Sequence, residues 1–132
     1  MTPLHYATAR GHNDVLAHLI AAGADLEAAS LQGATSLQIA AEMGQPGAIQ
    51  VLVTAGANVE AAGDEGQMRP LHAAAISGDV KALECVKVLL QAGAMPSATD
   101  AQNRTPLQLA AEAGDDEVVD ALKAAVASKE EL

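Results

Sequence analysis

Four hexads recur in register along the chain: Thr2-Pro3-Leu4-His5-Tyr6-Ala7, Thr35-Ser36-Leu37-Gln38-Ile39-Ala40, Arg69-Pro70-Leu71-His72-Ala73-Ala74 and Thr105-Pro106-Leu107-Gln108-Leu109-Ala110. Successive starts lie 33, 34 and 36 residues apart. Self-similarity at such a period marks one supersecondary unit used repeatedly, and a unit that short cannot bury its apolar face alone. Each copy must be covered by its neighbours, so stability becomes a sum over adjacent contacts.

Within a unit the residues dictate two helices. Thr2 is a helix N-cap, and Pro3 occupies the first helical position, where a missing N–H costs nothing. The helix is expected to run to about Arg10 and stop at Gly11. Gly44, Gly78 and Gly114 hold the same place, nine residues after each hexad begins, where a left-handed residue reverses the chain. A second helix follows, with Val15, Leu16, Leu19 and Ile20 on one face. Its counterparts are Ala48, Ile49, Leu52 and Val53, then Cys85, Val86, Leu89 and Leu90. Gly23, Gly56 and Gly93 close these helices. Turn-prone extended segments then lead to the next hexad, with Gly33, Gly66 and Asn103 expected at the turn position that needs positive φ.

These hexads and glycines resemble the ankyrin-repeat family over nearly the whole chain. The resemblance implies an all-α solenoid of four stacked helix-turn-helix units joined by β-hairpin-like loops. One domain spans 1–132, with units at about 1–34, 35–68, 69–104 and 105–127 and a polar tail at 128–132. The resemblance also implies a structural role for His5 and His72, which would tie each helix start to the neighbouring unit. Gln38 and Gln108 stand in the same place and can also donate and accept.

Departures from the pattern are local. One extra residue, Gln67 or Met68, lengthens the hairpin before the third hexad, and three extra residues near Asp79-Val80-Lys81 precede that unit's second helix. Arg69 replaces the threonine cap, which should weaken that helix start by about 1 kcal/mol. Lys123 stands where Ile20, Val53 and Leu90 are apolar, as a terminal cap requires. The first unit has no hairpin ahead of it. Its outer flank, including Leu4 and Leu16, is therefore expected to face water, with a segment cut from a longer array as the leading reason. Some ankyrin repeats are hydroxylated at an asparagine near the end of the turn segment; Glu27, Glu60 and Ser97 occupy those places here, so the acceptor is missing.

Chemistry is sparse by comparison. The formal net charge of −10 would repel nucleic acid and anionic membranes. Tyr6 is the only aromatic residue, which leaves no stacking platform for bases. Cys85, the only cysteine, permits no intrachain disulfide and fits a reducing cytoplasmic or nuclear compartment. Its place among buried positions makes it a small hydrophobe rather than a reactive thiol. No apolar run reaches the length of a membrane span, and no signal peptide is visible. His12 and His18 lack metal-ligand spacing, and Asp115-Asp116-Glu117 complements a helix dipole. Gly44-Gln45-Pro46-Gly47 lacks the ending of a phosphate loop. No nucleophile recurs beside the histidines. An enzyme, a metal and a cofactor are not expected.

What remains is surface. The resemblance implies a concave ligand face built from hairpin tips and the last turn of each first helix. Carried over by residue, the partner-binding set is Arg10, Leu31, Gln32, Glu42, Met43, Asp64, Glu65, Met68, Ile76, Ser77, Gln102, Arg104 and Glu112. Leu31, Met43, Met68 and Ile76 are apolar where water is expected, and Glu42, Asp64, Glu65 and Glu112 surround them with negative charge. An apolar centre in a charged rim is how a protein-binding patch is built; the competing reading is that scattered surface apolars are ordinary. The partner would be a protein or peptide with an apolar and basic face, met by a monomeric, non-enzymatic module. An alternative is a regulatory or structural segment of a larger enzyme or channel that docks on its own chain.

Overall fold

The first turn of each hexad helix is closed by a reciprocal pair of hydrogen bonds. In the computed structural model, which describes residues 2–63 and 67–130 with side chains to 128, the Thr2, Thr35 and Thr105 hydroxyls accept the amides of His5, Gln38 and Gln108. The latter side chains reach back: His5 Nδ1 accepts the Thr2 amide at 2.9 Å, and the Gln38 and Gln108 Oε1 atoms accept those of Thr35 and Thr105, also at 2.9 Å. Two orphan donors are satisfied at once. The helices that follow are α1 (Pro3–Ala9), α2 (Asn13–Ala21), α3 (Ser36–Glu42), α4 (Pro46–Thr54), α5 (Pro70–Ile76), α6 (Ala82–Gln91), α7 (Pro106–Ala113) and α8 (Asp116–Glu130). The described residues contain no strand.

Helices α1, α3, α5 and α7 pack side by side in one layer, and α2, α4, α6 and α8 in the other. Ala40, Ala74 and Ala110, each the last residue of its hexad, are fully buried. A methyl group at that place lets neighbouring inner helices approach closely. Between the layers lie Leu16, Ile49 and Val86, then Leu52, Leu89 and Leu122, all sealed from water. Full burial of each such side chain contributes roughly 1.5–3 kcal/mol.

The first helix pair corrects the expectation about its flank. Leu4 and Leu16 are buried, and the residues left open are Tyr6 and Val15, 56% and 51% exposed. The cause is directional. Leu4, Leu37 and Leu71 are buried, whereas Leu107, against which no hairpin packs among the described residues, is only half-buried; the hexad leucine therefore points forward along the stack. Tyr6 and Val15 point backward. Lys123 is exposed, as its position implied.

The hairpins are hydrogen-bonded turns. Ser30 donates to the Ala34 carbonyl and Asp100 to that of Arg104, with four residues from donor to acceptor, while Gly63 reaches across one more residue to Met68. Gly33 and Asn103 adopt positive φ, +78° and +61°, as foreseen. Gly66 lies outside the described residues, and the left-handed residue two places before Arg69 is Gln67 at φ +50°. The extra residue moved the turn glycine away from the place that needs it. Gly44 carries a double demand: φ is +68°, and the Asp79 side chain of the lengthened third unit packs directly over its α-carbon.

Each hairpin is tied to the hexad helix before it. His5 Nδ1 already accepts an amide proton, so the ring carries its proton on Nε2 and donates it to the Ala28 carbonyl at 2.8 Å. His72 repeats the arrangement with the Arg69 amide at 3.2 Å and the Arg104 carbonyl at 3.0 Å. Gln38 Nε2 donates to the carbonyls of Ala61 and Met68. Carboxylates add a second tie between successive turns: Glu27 accepts the Asn58 amide at 3.0 Å and Glu60 the Met95 amide at 2.9 Å. Arg69 supplies no cap hydroxyl, as its identity implied, and its guanidinium instead pairs with Glu60 at 2.5 Å.

Two outcomes follow from these contacts. Ser36 sits at the first helical position, where the other hexads carry proline, and its buried hydroxyl has no hydrogen-bond partner. The preceding Thr35, at φ −79° and ψ 167°, is already in the region that a following proline demands. Ser36→Pro should therefore stabilise the chain by about 0.5–1 kcal/mol in urea unfolding. The second outcome concerns pH. Burial holds the His72 imidazole below its ordinary value, against the opposing pull of the Arg104 carbonyl and Asp100. Below about pH 6.5 the unfolded chain takes up this proton more readily than the fold. Stability from His72 is thus complete above that pH and declines as pH falls beneath it. His72→Gln, which keeps both ties in the manner of Gln38, should flatten that part of a stability–pH curve.

Candidate functional site

The inner helices end their last turns beneath the hairpins, and the space between is a groove of about 460 Å³. Its floor is α3 and α5, which contribute Ile39, Glu42, Met43, Ala73 and Ile76. Ala9 of α1 closes one side; Ser30, Gln32 and Ala34 of the first hairpin and Gly63 and Met68 of the second form the roof. Helical spacing explains the floor: Ile39 and Met43 are four residues apart and project from one face. Burial of Ile39 leaves Met43 and Ile76, 49% and 44% exposed, as the apolar contact points.

Of the sequence-derived set, Gln32, Glu42, Met43, Met68 and Ile76 meet around this groove. Leu31 stands at the tip of the first hairpin, 97% exposed, above it but not in its wall. Ser77 caps α5 and uses its hydroxyl to accept the Asp79 amide at 3.3 Å. Arg104 is committed to the third hairpin: its guanidinium pairs with Asp100 at 3.0 Å and its carbonyl receives His72. Gln102 is exposed in that hairpin, where its amide also donates to Asp100, and Glu112 is exposed on α7. Arg10 borders a different hollow on the outer side of α1 and α2. Asp64 and Glu65 lie outside the described residues.

Ile39, Ser30, Gln38, Ala73 and Gly63 were not anticipated as groove residues. Ile39 and Ala73 share the fifth hexad place, one helical turn before Met43 and Ser77, and the four-residue spacing was the signal that could have found them. Gln38 and Gly63 carry structural duties that mask their second role as wall.

Electrostatically the groove is simple. Among the described residues that line it, Glu42 is the one ionisable side chain; the others are apolar, an amide or a hydroxyl. Methionine at two places gives the wall unbranched, polarisable side chains that adapt to irregular shapes. The arrangement can hold an apolar side chain and one accompanying cation. Elsewhere, Asp100 is almost fully buried; burial raises its pKa, but the amides of Arg104 and Gln102 and the Arg104 guanidinium outweigh this and hold it below the usual carboxylate range. It organises a hairpin. Among the described residues no group of three His, Cys, Asp or Glu could hold a metal ion, and no helix is long and apolar enough to cross a membrane.

The family model described as ankyrin repeats (3 copies) matches residues 1–63 and again 60–130. Among curated relatives, human "Ankyrin repeat and SOCS box protein 16" is 38% identical over 113 residues, covering 85% of this chain and 24% of that protein. "Tyrosine-protein kinase HTK16" of Hydra vulgaris is 33% identical over 83% of this chain and 14% of its own. "Transient receptor potential cation channel subfamily A member 1 homolog" of Caenorhabditis elegans is 33% identical over 86% of this chain and 9% of its own. The chain thus spans about a quarter or less of the length of these relatives.

Cys85 offers a chemical check on the packing that positions the groove. Burial, reinforced by Asp79 and Glu84, pushes its thiol up to about 11. At pH 8 the native chain should react with a disulfide reagent far more slowly than the urea-unfolded chain; equal rates would show the α6 core open to solvent.

Proposed function

The chain belongs to the ankyrin-repeat family, and on that premise we propose that it is a non-enzymatic module gripping a partner protein or peptide in the groove between α3, α5 and the first two hairpins. Ankyrin repeats are protein-interaction modules, and the repeat domain is itself non-catalytic. The observation that carries the specific reading is the convergence of Met43, Met68 and Ile76 with Glu42 in one groove. The partner presents an apolar side chain with a lysine or arginine beside it. Apolar burial supplies affinity there, while Glu42 selects the cation and the acidic chain raises the encounter rate. Hairpin residues Leu31 and Gln32 extend the contact along the roof, with Ser77, Gln102, Arg104 and Glu112 as its outlying parts; Asp64 and Glu65 join the set on their sequence positions alone, and Arg10, at a different hollow, falls outside this groove. A cytoplasmic or nuclear setting suits such a module.

A second reading is favoured by one comparison. The three relatives each carry the matching segment as a small part of a much longer chain, among them a protein named as a kinase and one named as a channel. On that reading the groove receives a segment of the same polypeptide, and the module regulates or braces its own larger protein.

Peptides selected from a random library against the wild-type chain should be enriched in an apolar residue flanked by Lys or Arg. Met43→Lys and Ile76→Lys should each weaken their binding at least about tenfold, as loss of a central apolar contact does, with little change in melting temperature because both sites are exposed. Glu42→Gln should weaken binding and reduce its salt dependence. Unchanged affinity in the two lysine variants would remove the groove from the binding surface.

A further inference from the structure

Two of the four methionines, Met43 and Met68, line the groove under the hairpins, one in its floor and one in its roof. The repeat does not ask for a thioether at either place. Arg10, Ser77 and Ala113 hold the place of Met43 in the other units, and Ala34 and Arg104 that of Met68. A leucine would offer a similar apolar contact; methionine adds a sulfur that can take up oxygen. Met43 ends α3 as its C-cap and is 49% exposed, whereas Met68 is half-buried. Met95 is exposed to the same extent as Met43 but stands in the third turn segment, outside the groove.

The rest of the chain competes poorly for a two-electron oxidant. There is no tryptophan, and Cys85 is the only cysteine. It is sealed from water, and burial raises its thiol to about 11, so little thiolate is present to attack a peroxide. A thioether needs no deprotonation. Its sulfur lone pair attacks the terminal oxygen of a hydroperoxide, the O–O bond breaks, and the proton on the transferred oxygen passes to the departing one. The products are a sulfoxide and water, or an alcohol where the peroxide is organic. Methionine loses two electrons and the peroxide gains them. In the groove the new oxygen finds few donors. Gln38 Nε2 is already shared between the carbonyls of Ala61 and Met68, Ser30 turns its hydroxyl to Gln32, and Glu42 offers only acceptors. An apolar side chain laid over it would strip that oxygen of water and give nothing back.

Resting on the groove as the binding surface, we propose that Met43 and Met68 are sites of reversible oxidation by hydroperoxides, and that their sulfoxides release the partner. Met43 responds first because it is the more open of the two. The methionine sulfoxide reductases, one for each configuration at sulfur, restore the groove with electrons from a thiol. The buried leucines between the layers take no part, so the fold persists while recognition is withdrawn.

Graded treatment of the whole chain with hydrogen peroxide tests the proposal, with a library-selected peptide free of Met, Cys and Trp as the probe. Mass mapping should show Met43 and Met95 gaining oxygen at similar rates and Met68 more slowly, with Cys85 unchanged. Peptide affinity should fall at least about tenfold as Met43 and Met68 are oxidised, with helical circular dichroism retained. It should return on incubation with both reductases and dithiothreitol. Met95→Leu should leave this response whole, and in the Met43→Leu, Met68→Leu double variant peroxide should no longer change the affinity. An oxidised wild-type chain that binds as tightly as the untreated one overturns the proposal. So does a loss that the reductases fail to reverse, a loss that accompanies unfolding, or an equal loss in the double variant. Each of these leaves the groove itself standing so long as Met43→Lys weakens binding. A peptide indifferent to Met43→Lys overturns the groove as the binding surface, and its oxidative control with it.

Discussion

One side chain in each hexad makes the stack possible. In the first three hexads the residue three places after the cap satisfies the cap amide and, with its remaining polar atom, a carbonyl of the next hairpin, whereas Gln108 makes only the first of these bonds. Histidine does this with a single tautomer, its Nδ1 accepting and its Nε2 donating. Glutamine does it with the two ends of its amide. Both solutions depend on a neutral, bifunctional group held rigidly at a helix start. A hairpin without this tie would leave its carbonyls unpaired beside a buried helix end, which is costly. The spacing of the hexads is thus the spacing of these bonds, and the distance between successive helices follows from it.

Because neighbours are held by hydrogen bonds at one end and by alanine and leucine between layers, the last turns of the inner helices carry little structural load. Met43 and Ile76 can be half-exposed without loss to the core. Residues there are free to be chosen for contact with something else, and the groove takes its character from them. The caps and the exposed groove residues occupy different ends of the same short helices. Ile39, Ala73 and Gln38 serve both packing and groove, since each is buried between units while it lines the groove.

Most of the backbone was legible in the sequence because its signals are local. A threonine cap, a proline after it and a glycine nine residues on leave no choice about where a helix begins and ends. Legibility failed where geometry is relational. Whether Leu4 or Tyr6 faces the preceding unit is decided by the direction in which units lean on one another, and periodicity within one helix does not reveal that direction. The turn at Gln67 shows a second limit: one inserted residue shifted the loop so that the glycine no longer fell two places before the helix cap. Of the candidate site, Met43, Met68, Ile76, Gln32 and Glu42 were legible as exposed variable positions. The walls made by Gln38 and Gly63 were not, because their structural duties account for them fully.

The two ends of the array then differ for a physical reason rather than by accident of pattern. Every interface between units is heterologous, forward-facing leucines on one side and backward-facing Tyr6-type and Val15-type positions on the other. An array that left both surfaces apolar would add further arrays without limit. Lys123 places one charge on the forward surface of the fourth unit, where the earlier units carry Ile20, Val53 and Leu90. The backward surface of the first unit keeps its hydrophobic character at Tyr6 and Val15, the places that later units bury against their neighbours.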